Sequence, residues 1–203
     1  MTLPSWKPPE LVMPSVTYRG EDTSDVIYAA VGKALHCWEH AESALTRLFQ
    51  VFCESRSRAA CRAYGVIESP FTKAQVLKAA ADTFFAVHPP RDEESVSNFA
   101  AIIKAYSESM QYRNNIAHGM TVGFYLEGGE HSGYFLCPPS YTSKKVKMHP
   151  TDKVYLLGAS YLYKSKDVHL CAERFTQILN ETVRLSHHLN EKYNIIPPEE
   201  LQP

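Results

Sequence analysis

From Ile27 to Phe52 apolar side chains recur at Ile27, Val31, Ala34, Trp38, Ala41, Leu45, Leu48 and Phe52, in alternating steps of four and three. That spacing puts one side chain on the same helix face at each turn, for about seven turns. A repeat averaging close to 3.5 residues keeps the stripe nearly parallel to the axis. Such a face is buried best by other helices lying almost parallel or antiparallel to it, as in a bundle. The pattern returns near the other end of the chain, at Val168, Cys171, Phe175, Ile178, Thr182, Leu185 and Leu189. Two long helices of this kind commit the chain to a helix-packed core.

The remaining segments fit around them. Thr23-Ser24-Asp25 supplies an N-cap for the first helix. Residues 54–69 form a short helical piece carrying Arg56, Arg58 and Arg62, closed by Gly65. Ser69-Pro70 opens the next helix, with proline in its first turn, and Phe71, Ala74, Leu77, Ala81 and Phe84 form its apolar face. His88-Pro89-Pro90 ends it, and Asp92 or Ser95 caps a central helix running to about Ala117. After Gly119 the period changes. Met120–Leu126 and Tyr134–Cys137, around Glu127-Gly128-Gly129-Glu130, read as a hairpin. A polar loop over 138–152 holds Lys144, Lys145 and Lys147, and a third strand is expected at about 154–164, with Tyr155, Tyr161 and Tyr163. Asp167 is expected to cap the final helix. Residues 1–22 hold four of the 13 prolines and no helical period, so they read as an extended arm; 195–203 read as a loose tail. The expected fold is mainly α: one domain over 23–194, a bundle of four main helices with a small antiparallel β insertion at about 120–164 before the last helix.

Composition narrows the function classes. A chain of 203 residues with 44% hydrophobic and 21% charged residues suits one well-buried soluble domain. A formal net charge of −1 provides no global positive field for coating long nucleic acids, though a local basic site is compatible with it. Five cysteines without CxxC spacing (Cys37, Cys53, Cys61, Cys137, Cys171) read as thiols in a reducing compartment, and no secretory signal or membrane-spanning run is seen. The expected location is the cytoplasm. His36 and His40 stand one helical turn apart but no third ligand lies near them, so no metal site is assigned. Walker, GxSxG and HExxH motifs are absent.

The anomaly lies in the central helix. Its core stripe runs Val96, Phe99, Ile103, Tyr106, Met110, and the next steps fall on Arg113 and Ala117. An arginine at a core position is costly unless something pairs with it. Glu42, beside the first helix's stripe, is the carboxylate expected to reach it. His118 follows five residues later, roughly 140° round the helix and about 7.5 Å along it. Helix termination near Gly119 would let it swing towards the same cleft, and a helix C-terminus favours positive charge. A histidine to move a proton and a guanidinium to hold phosphate oxygens suit phosphodiester chemistry.

Arg113-Asn114-Asn115-Ile116-Ala117-His118 resembles the Arg-x4–6-His motif of the HEPN domain family, in which a polar residue commonly follows the arginine. Trp38 and Glu42, spaced W-x-x-x-E on the opening helix, add to the likeness, as does the motif's place at the end of an inner helix. The resemblance covers about residues 25–193. It implies a metal-independent endoribonuclease without cofactor, acting as a homodimer whose two motifs line one cleft. In that scheme His118 is general acid or base, Arg113 stabilises the phosphorane, Asn114 orients them or binds phosphate, and the products carry 2′,3′-cyclic phosphate and 5′-OH ends. It also implies RNA such as tRNA as substrate, an antitoxin or regulatory protein as a further partner, and a role in toxin–antitoxin systems, phage defence or RNA processing. Arg56, Arg58, Arg62, Lys144, Lys145 and Lys147 are the candidate RNA-binding cations. Two other readings stay open: a non-catalytic HEPN-like module that binds nucleotide, RNA or protein, and a helical interaction protein in which Arg113 and His118 close a structural network.

Overall fold

The computed structural model describes residues 3–126, 128–139 and 159–195. The element order is α1 (Ser24–Phe52), α2 (Ala59–Gly65), α3 (Pro70–Val87), α4 (Glu93–His118), β1 (Met120–Tyr125), β2 (His131–Cys137) and α5 (Ser165–Tyr193). Four long helices, one short helix and a two-stranded antiparallel sheet before the last helix make up the expected mainly α architecture. None of the described helices is long and apolar enough to cross a membrane. The chain divides into two compact units, Met1–Ser5 with Cys37–Met110 and Arg174–Pro203, and Trp6–His36 with Gln111–Glu173.

In the first unit the α1 stripe is buried as its spacing requires: Trp38 is 2% exposed, and Ala41, Leu45 and Leu48 are fully enclosed. Trp38 stacks on Tyr106 of α4 (centroids 5.0 Å apart, planes at 14°) and meets Phe175 of α5 edge-on. At the end of α1 the Phe52 ring packs against Phe84, Phe85 and Phe99, so α1, α3 and α4 share one aromatic cluster. Ser69 caps α3, its hydroxyl accepting from the Thr72 N–H, with Pro70 at the position where a missing N–H does no harm. Ala74, Leu77, Ala81 and Phe84 are buried as expected, but Phe71 is 66% exposed. Stepping back one turn from Ala74 reaches Pro70, which leaves Phe71 about 100° off the buried line. Of the two candidate caps for α4, Asp92 is the cap and Ser95 the residue it holds: Asp92 Oδ1 accepts from the Ser95 N–H and Oδ2 from the Ser95 hydroxyl. Lys192, at the end of α5, donates to the same Oδ2 at 2.6 Å.

In the second unit β1 and β2 pair from Met120↔Cys137 to Tyr125↔His131, with a bulge at Phe124/Tyr125. β2 starts at His131, three residues before the apolar alternation becomes visible, because His131, Ser132 and Gly133 carry none of it. Gly133 has φ +99°, and a Cβ there would lie 2.7–2.9 Å from the backbone of Gly20. That contact explains the arm. The Gly20 N–H donates to Ser132 O, and Glu21 and Tyr134 exchange both backbone bonds on the flank of β2 opposite β1. Further along that flank Leu136 exchanges both bonds with Tyr163. The expected third strand is thus a single bridge among the described residues; residues 140–158 lie outside them. Phe124, Phe135, Cys137 and Leu162 form a small core, covered by Met13 and Tyr18 of the arm. The last helix begins at Ser165, earlier than expected, and Asp167 serves it differently. Its carboxylate reaches back to accept from the Lys164 N–H at 2.9 Å, the returning half of a capping box. Of the expected tail, only Ile195 is described, and it is buried.

Candidate functional site

Along α4 the buried positions are Ser95, Phe99, Ile102, Ile103, Ala105, Tyr106, Ser109 and Ile116, whereas Val96 and Met110 of the expected stripe are only partly buried. One line through this set runs Ile102, Tyr106, Ser109 and Ile116, at steps of four, three and seven. Arg113 falls in the middle of the last step, so it does occupy the core line, and it is half-buried there. Its Nε is enclosed without a hydrogen-bond partner, and its Nη1 donates only to Asn114 Oδ1, at a long 3.4 Å. Charge-assisted bonds to guanidinium normally run at about 2.7–2.9 Å. Among the described residues, then, Arg113 holds a cation with most of its donors unused.

Glu42 does not supply the missing anion. Glu42 is 8% exposed, and its carboxylate takes Lys73 Nζ at 2.5 Å through one oxygen and the Tyr106 hydroxyl through the other. The expected pairing with Arg113 is replaced by this α1–α3–α4 triad. Nothing in the sequence pattern singled out Lys73, since a lysine one turn into α3 reads as solvated surface.

The helix runs unbroken through Arg113 to His118. The two side chains therefore keep the separation of about 140° and about 7.5 Å that a continuous helix imposes, and the expected swing of His118 after early termination does not occur within α4. Asn114 and His118 are exposed. Gly119 follows directly, and its role is space rather than a left-handed cap. A Cβ would meet Asn115 O at 2.7 Å and the Leu136 side chain at 2.8 Å.

Asn115, one residue beyond the residues singled out, is the anchored member of the motif. Its Nδ2 donates to the Tyr163 hydroxyl at 3.1 Å, and its carbonyl accepts from the Tyr161 hydroxyl at 2.8 Å. The two buried tyrosines stack with centroids 4.8 Å apart. Burial pushes the Tyr163 phenol up to about 12, against a smaller opposing pull from its bond with Asn115, so it stays a neutral hydroxyl near pH 7. The end of α4 is thereby fixed by tyrosines that the sequence placed on a strand. The signal that could have found this was an Asn inside the motif at a turn facing apolar neighbours, Ile116 and the 161–163 run.

Arg56, Arg58 and Arg62 are exposed around α2. Burial raises the Cys61 thiol, while the positive charges of Arg47 and Arg58 oppose the rise. Lys144, Lys145 and Lys147 lie outside the described residues. The described residues contain no group of three or more His, Cys, Asp or Glu disposed to hold a metal ion. Comparison with protein-family models, with curated proteins and with solved structures finds no match to this chain.

Proposed function

We propose that this chain is a metal-independent endoribonuclease of the HEPN type, with Arg113 and His118 as its reacting pair and Asn114 assisting. The observation that carries the reading is the Arg113 guanidinium, held on a core line with its Nε enclosed and unpartnered. A fixed cation with unused, planar donors is complementary to a phosphate whose charge builds during reaction. In the reaction the ribose 2′-oxygen bonds to the adjacent phosphorus and the P–O5′ bond breaks. The 2′-OH proton leaves to a base, and the 5′-oxygen receives one from an acid. His118 suits one of these transfers, being exposed at the helix end. One α4 aims Arg113 and His118 in different directions, so the reading requires two copies whose motifs line one cleft. The surface arginines Arg56, Arg58 and Arg62 are proposed to hold RNA backbone.

The test is incubation of the wild type and His118→Ala with total tRNA and a synthetic RNA in EDTA, followed by mapping of the 3′ ends. Cleavage by the wild type alone, leaving cyclic phosphate, is expected. Silence from a folded wild-type dimer would refute the enzyme. The second reading, a binding module without cleavage, is favoured by the divergence of the two side chains on one straight helix. It predicts retention of RNA by the wild type and weakened retention by Arg113→Ala, with no product from either.

A further inference from the structure

Within the first unit α3 and α4 leave a half-open cleft of about 720 Å³ between them. Its floor is apolar: Phe85 from α3 and Val96, Phe99 and Ile103 from α4. The α4 residues that line it run from Val96 to Glu108, about 18 Å of helix at 1.5 Å per residue. The cleft therefore extends along α4, and its volume lies in the range of sites for small molecules, about 300–1,000 Å³. Alanines on both walls, Ala86 and Ala100, are exposed and keep it open.

The charges along its edges are unequal in their commitments. Lys78 on α3 and Lys104 on α4 stand on opposite walls. Lys78 has no ion-pair or hydrogen-bond partner among the described residues. Lys104 has only Glu108 at 3.9 Å, a loose and exposed pair worth little. Asp82, one turn from Lys78 on α3, is the other carboxylate on that rim and is likewise without an ion-pair or hydrogen-bond partner among the described residues. Arg91, at the opposite end, has Glu93 at 3.5 Å and adds a third cation to the lining. Two lysines with charge to offer, above an elongated apolar floor, fit a molecule with an extended hydrocarbon tail and one compact negative head.

We propose that the α3–α4 cleft binds a linear aliphatic carboxylate, its tail along Phe85, Phe99 and Val96 and its head between Lys78 and Lys104. The proposal is independent of the ribonuclease reading, since it uses none of those residues. It is tested on the full chain by calorimetric titration with dodecanoate below its micelle concentration, beside dodecyltrimethylammonium as the cationic counterpart. Saturable binding of one dodecanoate per chain is expected, with at least about tenfold weaker binding of the ammonium compound, roughly 1.4 kcal/mol. Ala100→Trp fills the cleft from an exposed position and should abolish binding of both. Should that variant fail to fold, Ala86→Trp makes the same test from the other wall. Lys78→Glu with Lys104→Glu should reverse the preference between the two head groups. Absence of saturable binding, equal affinity for both compounds, or unchanged binding in a folded, filled variant would each overturn the proposal.

Discussion

Glu42 offers the sharpest test of how the buried polar chemistry is wired. It lies within the first unit, its side chain 10% exposed and that of Lys73 16% exposed. Replacing Glu42 with methionine leaves the Lys73 ammonium partly buried without its anion and removes an acceptor from Tyr106. Breaking a buried pair from one side costs about 3–5 kcal/mol. Lys73 has a flexible stem and some access to water, so the low end, about 3 kcal/mol, is expected. Lys73→Met strands the carboxylate instead and should cost about 3 kcal/mol as well. In the double variant neither charge remains. Its loss should be about 1 kcal/mol, mainly the acceptor missing from Tyr106, against the ~6 kcal/mol that additivity would give. Urea unfolding followed by far-ultraviolet circular dichroism measures all four corners of this cycle. Single losses that simply add, or a Glu42→Met loss below about 1 kcal/mol, would refute the triad as the account of Glu42. The isosteric Glu42→Gln makes a separate point: it should weaken the fold while RNA cleavage, where present, continues. Abolished cleavage in a fully stable Glu42→Gln protein would return Glu42 to Arg113.

Three further outcomes follow from local geometry. The bond from Lys192, with those from Ser95, holds the Asp92 carboxyl well below its ordinary value of 3.8. A depressed carboxylate stabilises the fold above its unfolded value and loses that contribution as pH falls towards the folded one. Acid unfolding of the wild type should therefore steepen below about pH 4, whereas Asp92→Ala, weaker by about 1–2 kcal/mol near neutrality, should lack that component. Gly119→Ala must push its methyl against Asn115 O and Leu136, so a loss of about 1–3 kcal/mol is expected in thermal unfolding; an unchanged Tm would show that the α4–β1 junction yields freely. Tyr163→Phe removes the acceptor of Asn115 Nδ2 and should cost about 1 kcal/mol, with faster hydrogen exchange confined to the last turn of α4 as the marker of a local effect.

The long helices were legible because repetition over many turns overrides any one residue. The stripes of α1 and α5 required a helical partner whatever the details. Elements that depend on a single contact were not. The first turn of α3 hid its true line because Pro70, not Phe71, continues it. The start of β2 carries no apolar alternation, and it is held by backbone bonds to Gly20 and Glu21 from more than a hundred residues away. The candidate site divides in the same way. Arg113 was visible as an exception to a period, and it does lie on the buried line. Its supposed partner was chosen by helix register alone, and register does not say which of several cations a buried carboxylate meets. Asn115 escaped notice because its role is set by tyrosines that become neighbours only through the fold.

The glycine contact between the arm and the hairpin changes what the stretch from Met13 to Glu21 is. Gly20 and Gly133 allow two backbones to approach where any side chain would keep them apart, and the bonds of Gly20 and Glu21 then make β2 an interior strand with neighbours on both sides. Shortening the protein at the first helix would not trim a loose end. It would strip Met13 and Tyr18 from Phe124 and Phe135 and expose a row of unpaired β2 donors and acceptors, converting a closed surface into an adhesive one. A stretch that looks dispensable by composition is, in physical terms, the guard against aggregation for the β insertion.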